Sequence, residues 1–306
     1  MLKYYVQRSA SEDFQPVTTP PQDDAWICGH AVTDDELKSL VETYSMDANI
    51  LRDVLDKNEL PRIDIRGGDL YVFLRIVQRT KHGPLLTTPI LLAVKGSLFF
   101  NVSAGAIDNN ALTLAKSLAH RPDAHGLLLG TIAAVVSEYE ILIQRTARSI
   151  EDTGRRLHTH EVTNEDFIKF VSVEDILNEC RMNLNGMLVI AERILETLPR
   201  KDDREAVEDI TLHIRQLIVA IESYEHNITS IRNAYSTIAN NVLNQRMKTL
   251  TALTVLIALP NVFFGMYGMN VALPYQNQPW VYGTIMFVSL AVMVFVIAVA
   301  RRKGIF

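Results

Sequence analysis

The chain has 306 residues, 21% of them charged and 48% apolar, which excludes a disordered chain and a protein wholly embedded in a membrane. Charge divides it sharply. Residues 1–243 carry all 35 Asp and Glu against 25 of the 30 Lys and Arg; residues 244–306 carry only Arg246, Lys248, Arg301, Arg302 and Lys303. An acidic body joined to a basic-flanked apolar tail argues against a simple soluble enzyme, and it lacks the basic face a nucleic-acid binder needs. The length suggests about two domains.

The first sixteen residues lack the apolar core of a signal peptide, so export of the body is not expected. Cys28 and Cys180 are the only cysteines, which suits a reducing compartment and no zinc-type cluster. Residues 26–29 read as a short strand. Thr33 caps a helix with acidic residues in its first turn, and Asp47 caps a second that Pro61 ends. Strand patterns follow at 70–78, 85–95 and 97–103, with turns at Gly67-Gly68, His82-Gly83 and Lys95-Gly96. Helices are expected at 108–120, 125–153 and 164–198. Strands followed by helices predict an α+β body. It contains no Gly-rich phosphate loop and no catalytic triad. His158, His160 and Glu161 sit beside Arg155 and Arg156 and read as a solvated stretch rather than a metal site.

Between Pro199 and Pro260 there is neither proline nor glycine. Ile210, Ile214, Leu217, Ile221, Tyr224, Ile228, Ile231, Tyr235, Ile238 and Val242 are spaced by alternating steps of four and three, a 3.5-residue repeat. One helix of about 60 residues, about 90 Å long, should run from the body into the apolar tail. Its seam implies self-association, packing on neighbouring helices, or a bundle within the chain.

Residues 249–300 carry no charged side chain, and the run divides into two spans of 20 residues, 249–268 and 281–300. Each is about 30 Å long as a helix, the thickness of a bilayer core. Basic residues precede the first span and follow the second, and the loop between has none, which predicts both termini in the cytoplasm. Tyr275, Trp280 and Tyr282 are placed for the outer interface. The second span is almost wholly apolar and reads as facing lipid. Along the helix that enters and forms the first, Met247, Thr251, Thr254, Ala258, Asn261 and Gly265 share one helical face. Small, weakly polar residues on one face fit either close helix packing or the wall of a pore.

Tyr267-Gly268-Met269-Asn270 follows the first span. Its place, at the outer end of the first of two C-terminal spans and after a long helix, resembles the CorA magnesium transporter family. The body adds to the resemblance: a Trp-led strand at Trp26, two short helices, a link through Pro61 and a GDLYVFLR strand come in the family's order. The resemblance covers essentially the whole chain.

It implies a funnel-shaped homopentamer: an α+β cytosolic regulatory domain (1–200), a stalk helix (201–248), a pore-lining span (249–268), an outer loop (269–280), a second span (281–300) and a basic tail (301–306). Gly268, Met269 and Asn270 would form the selectivity site at the outer mouth. Asn244, Met247, Leu250, Thr254, Ala258, Asn261 and Gly265 match pore-facing positions. Asp53 and Asp209 match an acidic pair that binds regulatory Mg2+ between subunits. The chain departs from the family pattern at Asn261, where Thr is common, and at Ala258, where a bulkier residue is common. Pro260 is shifted by one position, and the outer loop lacks acidic residues.

The expected function is channel-like transport of divalent cations, foremost Mg2+, driven by the membrane potential and gated by cytosolic Mg2+, in the plasma membrane. Partners are other copies of the chain, divalent cations and the lipid bilayer, with no organic cofactor and no nucleic acid. Transport of zinc, cobalt or nickel is the alternative within the superfamily; soft-ion transport favours His or Cys in the pore, and none is present. A membrane-anchored sensor that conducts nothing is the alternative from another class.

Overall fold

The computed structural model describes residues 2–6, 14–78, 86–105, 123–158, 164–197, 200–269, 275 and 277–302. The chain divides into two compact units, Met1–Thr229 and Ser230–Phe306.

In the first unit, β1 (Leu2–Val6), β2 (Gln15–Val17) and β3 (Ala25–His30) precede α1 (Asp34–Tyr44) and α2 (Ala48–Asp53). Then come β4 (Arg62–Arg66), β5 (Asp69–Gln78), β6 (Leu86–Lys95) and β7 (Leu98–Ser103). The seven strands form one sheet in the order β2-β1-β3-β7-β6-β5-β4. Among the described residues its one parallel pair is β3 with β7, with Trp26 opposite Phe99 and His30 opposite Ser103; the other pairs are antiparallel. Tight turns join β4 to β5 and β6 to β7, where Gly68 (φ 95°) and Gly96 (φ 58°) adopt backbone that side chains disfavour.

Alternation along the strands sends two sets of residues to opposite faces. Ile27, Tyr71, Phe73, Leu91, Ala93, Phe100 and Val102 pack with Leu37, Leu40 and Tyr44 of α1 and Ile50 and Leu51 of α2. The other face is covered by α3 (Ala124–His158), which contacts β5, β6 and β7 and whose Tyr139 hydroxyl donates to the Arg75 carbonyl at 2.9 Å. α4 (Asn164–Thr197) packs on α3 and on β4 and β5. At one close approach, a Cβ on Gly186 of α4 would lie 2.8 Å from the Pro61 ring, so glycine is required there.

Both predicted caps form. Thr33 makes a capping box with Glu36, and Asp47 accepts from the amides of Asn49 and Ile50. α2 stops at Asp53, well before Pro61. Its last turn tightens through Val54, Leu55 and Asp56 amides bonding three residues back, Asp56 accepts from the Asn58 amide, and Arg75 donates to the Lys57 and Glu59 carbonyls at 3.0 and 2.8 Å. An arginine from β5, remote in sequence, thus holds the segment as a loop. β1, β2 and β4 go beyond the strands expected from sequence. The helix expected at 108–120 and the turn at His82-Gly83 lie outside the described residues.

α5 (Lys201–Tyr267) is a single helix of 67 residues. Within the first unit its seam is buried at Ile210, Ile214, Leu217, Ile221 and Ile228. A contact of His213 with Glu140 of α3 (3.2 Å) flanks it, as do two ion pairs with α4, Arg215 with Glu192 (2.9 Å) and Glu225 with Arg181 (3.0 Å). In this half, therefore, the repeat packs an intramolecular bundle. The second unit holds the rest of α5 and α6 (Trp280–Arg302). α5 continues through Pro260, which removes one backbone donor without ending the helix.

Among the described residues α3, α5 and α6 are long and apolar enough to cross a membrane, but 67% of the most apolar stretch of α3 is buried, against 0% in α5 and 11% in α6. Protein covers the apolar residues of α3, so it is a core helix; α5 and α6 leave theirs exposed.

Candidate ion pathway and cytosolic carboxylates

At 100° per residue, Asn244, Met247, Leu250, Thr254, Ala258, Asn261 and Gly265 fall within a stripe of about 120° on α5. All seven are exposed. Ala252, Leu256, Leu259, Pro260 and Phe263, on the opposite side of the helix, are half-buried. On α6, Val281 and Ser289 are buried, and Ile285, Val292, Met293, Val296 and Ile297 on the same face are half-buried. The second span is thus not uniformly turned outward, as its composition suggested: Ser289 is 5% exposed.

The threonines of α5 are bonded within the helix. Thr249, Thr251 and Thr254 donate to the carbonyls of Gln245, Met247 and Leu250 at 3.0, 2.8 and 2.9 Å. Their hydroxyls are satisfied within the helix while keeping lone pairs outward. Met247 (53% exposed) and Leu250 (57%) stand one turn below as uncovered apolar side chains.

The Gly268 amide donates to the Phe264 carbonyl at 2.9 Å and the Met269 amide to Met266 at 3.4 Å, which closes the helix end. Met269 is exposed, and Asn270 lies outside the described residues. Before α6, the Tyr275 and Trp280 rings lie 5.8 Å apart, and the Gln278 carbonyl accepts from the Val281 amide. Tyr275, Trp280 and Tyr282 are all exposed, as interfacial aromatics are.

Asp53 ends α2 and accepts from Arg62 Nη2 at 2.7 Å. Glu59 and Asp64 approach the same guanidinium at 3.2 and 3.4 Å, and Phe73 lies beneath it, 4.7 Å to the ring centre. Burial raises the Glu59 carboxyl above its ordinary range, against the lowering effect of Arg62. Asp209 is exposed on α5, beside a cavity of about 220 Å³ that His213 and Ile210 also line. Both aspartates offer the hard oxygen donors that Mg2+ takes. Among the described residues of one chain no three His, Cys, Asp or Glu converge on a metal-binding geometry. Arg62, Glu59 and Asp64 escaped the sequence reading; the alternation of Arg62 and Asp64 along one face of β4 was the available signal.

The family model for the CorA-like Mg2+ transporter protein matches residues 22–302. The chain belongs to the CorA family. The cobalt/magnesium transport protein CorA of Methanocaldococcus jannaschii is 23% identical over 292 residues, covering 91% of this chain and 90% of that protein. The complete structure of the CorA magnesium transporter from the same organism superposes with a TM-score of 0.86 at 21% identity, over 100% of this chain and 99% of that one. The full-length CmaX protein superposes with a TM-score of 0.75 at 14% identity, over 97% of both chains. As a CorA-family protein, this chain is a membrane transporter of divalent cations, not an enzyme.

Proposed function

We propose that the chain is a channel-like Mg2+ transporter that works as a homopentamer in the plasma membrane, with both termini in the cytoplasm. The observation that carries this reading is the uncharged stripe from Asn244 to Gly265. It is exposed over its whole length on the side of α5 opposite the half-buried residues. Five such stripes facing one axis line a pore, with α6 outside. Mg2+ sheds water reluctantly, so neutral oxygens suit a hydrated ion. Five copies of Asn270 supply these at the mouth, with Gly268 and Met269 shaping the turn. Met247 and Leu250 form an apolar collar that closes by dewetting. Two charges crossing 100 mV gain roughly 4.6 kcal/mol, so the membrane potential suffices as the driving force.

Asp53 and Asp209 form the regulatory pair in this reading. Carboxylates facing each other across a subunit boundary repel, and a divalent ion between them holds the closed state. The name of the cobalt/magnesium relative favours Co2+ as the second cargo. The test is flux into liposomes containing only this protein, with Mg2+, Co2+, Ni2+ and Zn2+ compared. Mg2+ entry that rises with an inside-negative potential supports the reading. Absence of flux for every ion removes it in favour of a sensor that conducts nothing.

A further inference from the structure

Three carboxylates share one cation at the edge of the sheet. Arg62 donates to Asp53 at 2.7 Å, while its Nε lies 3.2 Å from Glu59 and 3.4 Å from Asp64. The arginine is held from several sides. Its guanidinium rests on Phe73, its register partner on β5; the preceding Pro61 fits against Gly186; and Arg75 fixes the Glu59 carbonyl. Asp53 remains open to solvent, its side chain 43% exposed. Water and ions therefore reach the Asp53 side chain.

We infer that Arg62 is a tethered counter-cation for Asp53. It neutralises the carboxylate when divalent cations are scarce, and yields it when one binds, so it sets the concentration at which the chain responds. This rests on the reading of Asp53 as a regulatory residue. A carboxylate oxygen accepting a charge-assisted hydrogen bond is less available to a metal or its water shell. The exchange is made easy by the neighbours. Releasing Asp53 leaves the charge of the guanidinium compensated, because the Glu59 and Asp64 carboxylates stand 3.2 and 3.4 Å from its Nε, although neither accepts a hydrogen bond from it. Arg62 is thus a positioning and tuning residue, not itself a ligand.

The experiment is limited proteolysis of the full-length protein across a Mg2+ titration. Arg62→Gln should lower the Mg2+ concentration for half protection by roughly three- to tenfold, within what removal of one partly screened charge allows. Arg62→Lys, which keeps the charge but loses the fork and the stacking on Phe73, should lower the midpoint by less than Arg62→Gln does. A purely structural role predicts the opposite sign, with weaker protection at every Mg2+ concentration. Should Arg62→Gln not fold, a pair of equal charge changes decides. Asp64→Asn removes a rival seat for Arg62 and should raise the midpoint. Asp56→Asn changes the local charge equally without touching Arg62 and should raise it less. Arg62→Gln with an unchanged or raised midpoint, or an Asp64 variant no different from the Asp56 variant, overturns the inference. The two readings separate at Asp53→Asn. If it shifts the midpoint and Arg62→Gln does not, the counter-cation role alone fails; if neither does, the regulatory reading of Asp53 fails as well.

Discussion

One helix carries one sequence rhythm through two different environments. From Ile210 to Ile228 the seam of α5 is buried under α3 and α4 of its own chain. From Ile231 to Ile238 the same spacing is only half-buried, and Val242 is 40% exposed. The period specifies that a stripe must be covered and says nothing about what covers it. In the first half the cover is intramolecular. In the second the chain supplies too little, and the uncovered residues pass directly into the uncharged stripe of the membrane half. A helix built this way has a covered seam at one end and an uncovered one at the other.

The comparison breaks most visibly at its far end. Asn270→Ala should abolish Mg2+ uptake into proteoliposomes while the protein elutes at the parent's size, because the amide is assigned to the ion and not to the fold. Normal uptake would remove Asn270 from the selectivity site. At the apolar collar, Leu250→Gly or Met247→Gly should leak. Both are exposed in one chain, so the body should melt unchanged while flux at high internal Mg2+ exceeds that of the parent. Equal flux would place the gate elsewhere.

The seam itself sharpens the contrast. Ile214 is 0% exposed, so Ile214→Asp buries an unpaired charge and should cost about 3–5 kcal/mol, read as loss of the body's cooperative melt. Ile238→Asp should leave that melt within about 0.5 kcal/mol and weaken assembly instead, as only a surface of the monomer changes. If both variants unfold the body alike, the two halves are not different environments. Within the body, Gly186→Val should destabilise by about 2 kcal/mol, since its Cβ would meet the Pro61 ring at 2.8 Å and outweigh the gain from removing a helical glycine. The smallest effect belongs to Thr254→Val. Its hydroxyl is bonded to Leu250 within the helix, so stability should change by less than about 1 kcal/mol and Mg2+ flux by less than about threefold. A large loss of flux would show that the lone pairs of Thr254 face the ion.

Some of the molecule was legible because its causes are local or one-dimensional. A span needs about 20 uncharged residues and basic flanks, and both are properties of a string. Thr33 and Asp47 act on amides two or three residues away, and their caps formed as expected. One reading failed where a distant partner intervened. α2 ended early because Arg75 captures the carbonyls of Lys57 and Glu59.

The sequence by itself determined where the chain is apolar enough for lipid, which face of α5 is small and weakly polar, and that its long helix carries a seam. Tertiary structure alone decided what covers the apolar stretch of α3. α3 has the length and composition of a span, but 67% of its most apolar stretch is buried, partly against a sheet whose strands come from earlier parts of the chain. It also decided the parallel pairing of β3 with β7, whose partners Trp26 and Phe99 are distant in sequence, and the meeting of Asp53, Glu59, Asp64 and Phe73 around Arg62. The physical reason is the same in each case. Burial and ion pairing depend on which surfaces meet in space, and a residue's type and spacing record only that it needs a partner, not which one folding brings to it.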